Sequence, residues 1–264
     1  AFVSSLVWEA VRRSILATRR RECHAMVATG IATLYRDNLD AHRHALALHL
    51  ARSGRPGDAS VEERRGAEIL ERQQYVEGAA RSWERAVTWL AEAGDPGMAS
   101  DEAWMRLRAG GCFDLAGDPV RAEVHLQIAL DLSDEAMHPE VEARAHLGLG
   151  RLNRSRGRGG RAAEHFEAAS QVVFLGRRTE APLEGWAREV AVHAFEGLGR
   201  VLHDAGDVGR AEVQFQHAYT LSTGDAALEA RALAALSLAP LRRGDSDAAL
   251  VLLAAGQPDL VCRN

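Results

Sequence analysis

Apolar residues recur at helical spacing along almost the whole chain, and no stretch alternates strictly between apolar and polar, so the pattern predicts helices and no strand. The first positions are Val3, Leu6, Val7, Ala10, Val11, Ile15 and Leu16, followed by a basic break at Arg19-Arg20-Arg21 and then by Met26, Val27, Ile31 and Leu34. This predicts two helices, or one bent helix, as far as Leu34. A further helix is predicted from Leu39 to Ser53 on Ala41, Ala45, Leu46, Leu48 and Leu50, ended by Ser53-Gly54-Arg55-Pro56-Gly57-Asp58. A hairpin of helices follows over Ala59–Gln73 and Val76–Ala93. Turns are then expected at Gly94-Asp95-Pro96-Gly97, Ala116-Gly117-Asp118-Pro119, His138-Pro139, Arg156-Gly157-Arg158-Gly159-Gly160, Ala181-Pro182, Ala205-Gly206-Asp207, Thr223-Gly224-Asp225 and Arg243-Gly244-Asp245. Each Asp directly after a Gly is placed to cap the next helix. About a dozen helices result.

The helices repeat. A small residue is followed after seven positions by a turn glycine, after five more by an alanine, after four by a bulky apolar residue and after three by another small residue. Gly199/Gly206/Ala211/Phe215/Ala218, Gly150/Gly157/Ala162/Phe166/Ala169 and Gly110/Gly117/Ala122/Leu126/Ala129 share this spacing. Ala67/Gln74/Ala79/Trp83/Ala86 and Ser237/Gly244/Ala249/Leu253/Gly256 are degenerate copies. Two antiparallel helices approach closely only where side chains are small, and a bulky residue one turn along fills the gap to the next pair. The glycine supplies the left-handed residue that ends the first helix.

This pattern resembles the tetratricopeptide repeat, W-x2-L-G-x2-Y…A-x3-F over about 34 residues. Phe195-x2-Leu198-Gly199-x2-Leu202…Ala211-x3-Phe215 matches it best, and Leu149-Gly150-x2-Asn153…Ala162-x3-Phe166 comes next, with polar Asn153 where the family has an aromatic residue. The resemblance implies an all-α fold, a right-handed superhelical α-solenoid of antiparallel helix pairs. Successive alanines lie 43, 40, 49 and 38 residues apart, wider than the family standard, which leaves the curvature open.

Composition narrows the function classes. A formal net charge of −5 argues against a general nucleic-acid binder. All 32 basic residues are arginine, which reads as the compositional bias of a GC-rich bacterium. Without lysine the chain lacks the P-loop lysine and any Schiff-base nucleophile. Cys23, Cys112 and Cys262 are odd in number, widely spaced and free of C-x-x-C, which fits a reducing cytoplasm. No apolar run reaches the ~18 residues of a membrane span. The opening Ala1-Phe2-Val3 lacks an initiator methionine and a signal peptide, so a fragment is expected.

A second resemblance covers residues 1 to about 93. Phe2…Leu6…Glu9-Ala10-Val11…Leu16…Arg19-Arg20-Arg21…His24, then Ala32…Leu34-Tyr35…Leu39…His42…Ala45…Leu48-His49-Leu50-Ala51…Gly54…Pro56…Ala59, is similar to the junction where the ATPase module of bacterial multidomain signalling ATPases passes into a tetratricopeptide-like tail. It implies N-terminal junction helices over residues 1–58, repeats continuous with them over 59–256 and a short tail at 257–264. It also implies an effector or ATPase domain elsewhere in the full-length chain.

Candidate chemistry is sparse. His42 and His44 are two apart and face different sides of a helix, and with His24 and His49 they form no H-E-x-x-H, so packing histidines are expected and no metal. Adjacent Cys23 and His24 cannot form a nucleophile pair by themselves, no G-x-S-x-G elbow exposes a serine, and Gly157-Arg158-Gly159-Gly160 lies between helices rather than after a strand. Trp8, Trp83, Trp89, Trp104 and Trp186 fall mostly at apolar helical positions and are expected in the core.

The remaining feature is geometric. In a helix-pair array the first helices line one face, and the residues beside the small packing position point into it. The repeat register selects Arg144, Leu147, Arg151 and Arg154 in one copy, His193, Glu196, Arg200 and His203 in the next, and Trp104, Leu107 and Asp114 in an earlier one. Gly110, Gly150, Gly199, Ala122, Ala162, Ala211, Phe166 and Phe215 are structural in this reading. A groove lined by Arg144, Arg151, Arg154 and Arg200 would favour an acidic peptide, a carboxylate or a phosphate; the alternative is a solvated arginine face on an arginine-rich protein. The function expected is a non-enzymatic protein- or peptide-binding scaffold or sensor module of a larger bacterial signalling or transcription regulator, with no cofactor. A domain sensing an oligosaccharide or metabolite inducer is the other open class.

Overall fold

What organises the chain is how its helices stop. In the computed structural model, which describes residues 16–94, 99–135, 137–175 and 183–256, the end of each first helix is folded back by a residue in the left-handed region. At Gly157 (φ +71°) and Gly206 (φ +88°) the absent Cβ removes the steric cost of that conformation. The amide of the following residue then reaches back to close the helix end, Arg158 N donating to Asn153 O and Asp207 N to Leu202 O, each at 2.9 Å, the Schellman arrangement. Gln74 stands at the equivalent position in the degenerate copy and adopts φ +60°, with Tyr75 N donating to Leu70 O at 2.9 Å. The turn is thus imposed even where glycine is missing.

The helices are α1 (Ala17–Leu34), a 3-10 segment (Arg36–His42), α2 (Arg43–Arg52), α3 (Pro56–Arg72), α4 (Val76–Ala93), α5 (Ala99–Leu115), α6 (Pro119–Glu135), α7 (Pro139–Ser155), α8 (Gly159–Phe174), α9 (Gly185–Asp204), α10 (Val208–Ser222), α11 (Ala226–Leu236), α12 (Leu238–Arg242) and α13 (Ser246–Ala255). No strand occurs among the described residues. Asp207, Asp225 and Asp245 cap α10, α11 and α13, their carboxylates accepting from Arg210 N, from Ala227 N and Leu228 N, and from Ala248 N. The expected positions from Val3 to Ile15, Trp8, the turns at Asp95-Pro96-Gly97 and Ala181-Pro182, Cys262 and the tail lie outside the described residues.

Two elements differ from expectation. Helix α1 runs through Arg19-Arg20-Arg21, where a break was expected, because arginine is a good helix former and Arg19 Nη1 pairs with Glu22 Oε2 at 2.8 Å. The helix expected from Leu39 begins only at Arg43. The residues before it form the 3-10 segment, interrupted at Asn38 (φ −137°, ψ 40°), and the Tyr35 ring stacks on His42 with centroids 3.8 Å apart.

The chain divides into two compact units, Ala1–Asp118 and Pro119–Asn264. In the first, α1, α2, α3, α4 and α5 pack each against the next, and Trp83, Ala79, Ala86 and Ala67 are buried. In the second, α6 to α11 pack in the same sequential way, and in addition α7 lies against α9 and α9 against α11. The repeat positions account for this packing. Ala122, Ala129, Ala162, Ala169, Ala211 and Ala218 are wholly buried, as are Leu126, Phe166 and Phe215. A Cβ on Gly150 would lie 2.7 Å from the Phe166 ring, and one on Gly197 would lie 2.4 Å from the same ring. The ring from α8 is therefore seated between α7 and α9. Phe215 meets Gly199 in the same way, at 2.5 Å.

Adding one methyl group tests this slot. Gly199→Ala is expected to lower stability by about 1–3 kcal/mol through overpacking against Phe215. Gly111→Ala, in open space within α5, should raise it by roughly 0.5–1 kcal/mol through backbone entropy. Gln74→Gly should gain about 1 kcal/mol by relieving the left-handed residue. Urea unfolding measures all three, and the same sign at Gly199 and Gly111 would refute the slot.

Candidate functional site

The register that places the small residues also places the side chains the packing leaves over. Six positions before the small residue stand Arg144 on α7, His193 on α9 and Arg231 on α11; one position after it stand Arg151 and Arg200. Because α7, α9 and α11 touch directly, these residues meet across helix boundaries. Arg144 Nε donates to Glu140 Oε1 at 3.0 Å within α7, and its Nη2 donates to Glu189 Oε2 on α9 at 2.8 Å. Arg154 Nε donates to Asp204 Oδ2, again on α9, at 3.0 Å. Glu196, only 2% exposed, accepts from Arg200 Nε at 2.8 Å and from Arg231 Nε on α11 at 2.5 Å.

The result is an ionic ladder across three helices. Its arginines, Arg144, Arg151, Arg154, Arg200 and Arg231, are nearly matched by Glu140, Glu189, Glu196 and Asp204, so the face carries alternating charge rather than the uniformly basic lining that the arginines alone suggested. The two ends differ in character. Glu196 is buried and fixed, whereas the Glu189 and Asp204 side chains are 44% and 55% exposed. His193 lies among them, half-buried. Burial pushes its pKa down, the Arg231 and Arg151 guanidinium groups push the same way, and Glu196 and Glu189 pull against them. It therefore stays neutral and can accept a hydrogen bond near neutral pH. The His203 Nδ1 lies 3.8 Å from Asp204 Oδ1.

Leu147 and Leu107, which share the register, are 5% and 8% exposed and belong to the core. Trp104 and Asp114 are half-buried on α5, in the other unit. Sequence reasoning missed Arg231 and Glu189. Arg231 was within reach, since it stands six residues before Ser237 just as Arg144 stands six before Gly150. Glu189 carried no such signal, because it is ten before Gly199 and no chosen position predicts it.

The first unit holds paired acids of its own, one buried and one partly exposed. Glu63, 1% exposed, accepts from Arg85 Nε on α4 at 2.7 Å and lies 3.0 Å from His44 Nδ1 on α2. Glu71 on α3 accepts from Trp83 Nε1 at 2.7 Å and from Cys112 Sγ on α5 at 3.1 Å, and pairs with Arg108. The histidines near the N-terminus go to separate partners: His44 to Glu63, His42 to Tyr35, and His24 to His49, whose Nδ1 atoms are 2.9 Å apart. Among the described residues no group of three or more His, Cys, Asp or Glu could hold a metal ion. No helix among them is long and apolar enough to cross a membrane.

No protein-family model and no curated protein sequence matches the chain. Solved structures match it in fold. The apo form of RapI is similar with a TM-score of 0.67 and 12% identity, over 91% of this chain and 84% of that one. The apo form of the quorum sensor NprR from B. thuringiensis has a TM-score of 0.63 and 10% identity, over 94% of this chain and 67% of that one. A putative kinesin light chain from Podosopora anserina with nearly identical TPR-like repeats has a TM-score of 0.55 and 15% identity, over 77% and 95%. The fold is thus an all-α array of tetratricopeptide-like helix pairs, and identities this low speak to fold alone.

Buried and exposed rungs of the ladder should differ in strength. Removing Glu196 takes away the one buried carboxylate that ties α9 to α11 through two partly exposed guanidinium groups, so Glu196→Ala is expected to destabilise the protein by roughly 1.5–3 kcal/mol, the range of hydrogen bonds to a charged group. Asp204→Ala breaks a solvent-exposed pair and should cost less than about 1 kcal/mol. Thermal and urea unfolding of both variants decide it; equal losses would mean that Glu196 is not the anchoring rung.

Proposed function

We propose that this chain is a non-enzymatic protein- or peptide-binding module, acting as scaffold or sensor within a larger bacterial signalling or transcription regulator, and that its binding face is the ladder on α7, α9 and α11. The observation that carries this reading is that polar and charged side chains recur there in repeat register although inter-helix packing needs only the small and bulky positions. The face is preorganised: Arg144, Arg200 and Arg231 are each held by a carboxylate, so a ligand meets donors already oriented. Their guanidinium edges pair with carboxylates in the plane of both groups, which favours a partner presenting acidic side chains or a free carboxyl terminus. Neutral His193 adds an acceptor for a peptide N–H. Occupancy would bias how α7, α9 and α11 sit against one another, and a shift in that population is how binding would be passed to an attached effector domain. The fold likeness to a quorum sensor is compatible with such a role.

Selection from a random peptide library on the immobilised protein tests the proposal. Wild type is expected to enrich peptides rich in Asp and Glu, and Arg144→Ala/Arg151→Ala, checked for folding by circular dichroism, should bind the winners at least about tenfold more weakly, as expected for loss of charge-assisted contacts. Enriched peptides that bind this variant as tightly as wild type would sink the assignment of the face.

A further inference from the structure

Two places in the structure bring imidazoles together nitrogen to nitrogen. His146 on α7 and His165 on α8 place their Nδ1 atoms 3.0 Å apart, with ring centroids at 5.3 Å. In the other unit His24 on α1 and His49 on α2 do the same at 2.9 Å and 5.0 Å. Each contact joins two consecutive helices, and neither histidine pair has a role in the ladder.

The chemistry of such a contact is restrictive. A neutral imidazole carries one N–H and one lone pair, so at 3.0 Å one Nδ1 donates and the other accepts. A first added proton goes to the outer nitrogen of the donor ring and leaves the hydrogen bond in place. A second must sit on the accepting Nδ1, at the contact itself, where N–H would face N–H between two cations. We propose that the His146–His165 contact is a proton-operated latch between α7 and α8, which holds with at most one added proton and opens on the second.

The surroundings support this. His146 and His165 are half-buried. Burial first, and then His165, push the His146 pKa down from its usual value to about 4. His165 is also pushed down, by burial first; Glu164 of α8 and Glu123 of α6 pull it up and Arg161 of α8 pushes it down. Glu123 is itself engaged by Arg156 and lies 3.9 Å from Arg158, which leaves it little freedom to stabilise a second proton. No group of α9, which packs against both helices, is among those acting on the pair. The opened histidines titrate near 6.5. Between pH 6.5 and about 4 the opened state therefore binds more protons than the closed one, and opening becomes more favourable as pH falls through that window. Because α7 also carries Arg144, Arg151 and Arg154, opening would disturb the ladder, a consequence that rests on the binding reading whereas the latch does not.

Amide hydrogen exchange of the full chain between pH 7 and pH 4, expressed as protection factors, tests the latch without any ligand. The opening constant of α7 and α8 is expected to rise roughly tenfold to hundredfold across the window. In His165→Gln the side-chain amide can either donate to His146 or accept from it, so the helices should stay joined and the acid response of α7 and α8 should flatten. The α1–α2 amides around His24–His49 should keep theirs in the same sample. Protection of α7 and α8 that does not change with pH, or an undiminished response in His165→Gln, overturns the proposal. So does a His146 ring titrating at or above pH 6.5 by proton NMR of the wild type, a measurement that needs no variant.

Discussion

The close approach of two first helices onto one bulky side chain is the constraint from which the second unit is built. Phe166, anchored on α8, occupies a slot whose walls are Gly150 on α7 and Gly197 on α9. A side chain on either wall would collide with the ring. With glycine on both walls, α7 and α9 come close enough to touch, and the ring fills what would otherwise be a void. Phe215 and Gly199 repeat the arrangement one pair along, and Leu126 against Gly148 one pair before. Each pair is thereby located by its neighbours, which is how an array of short helices becomes stable although no single pair buries enough surface alone.

Direct contact between first helices has an electrostatic consequence. Side chains that would be separated by the width of a helix pair instead lie within hydrogen-bonding distance, so Arg144 meets Glu189 and Arg231 meets Glu196. The ladder is a product of the slot. It also explains why Glu196 can be buried: two guanidinium groups from two helices reach it, and a carboxylate removed from water is tolerated only when it is paired and hydrogen-bonded. The exposed rungs, Glu189 and Asp204, carry no such requirement.

The first unit solves the same packing problem with polar side chains. Glu63 sits four residues before Ala67, at the register of apolar Phe195 in the best copy, and is held by Arg85 and His44. Trp83 fills the bulky position, and its indole N–H is satisfied by Glu71, which also engages Cys112 and Arg108. At the other end of the chain the pattern fades outward. Leu253 holds the bulky position of the last copy and is 40% exposed.

Local chemistry made much of this visible in the amino-acid sequence. Helix ends are decided within a few residues, by a left-handed position, a capping Asp and the spacing of small residues, so the turns at Gly157, Gly206, Gly224 and Gly244 and the pairing of helices followed from the letters alone. The register also selected Arg144, His193, Glu196 and Arg200 as positions that the packing leaves over, and of these Glu196 is buried. Pairing of charges was not legible in the same way. The i,i+4 pairs Arg144–Glu140 and Arg200–Glu196 follow a local rule, but the pairs that join one helix to another, Arg231 with Glu196 and Arg154 with Asp204, bring together residues 35 and 50 apart, and no local rule encodes those. The same holds for His146 and His165, and for Leu147, which shares the register of Glu196 yet lies in the core. Sequence determined the repeat, through sterics that act over one turn of helix; tertiary structure decided which of the leftover side chains are paired, buried or exposed, through contacts that exist only once successive helices are brought together.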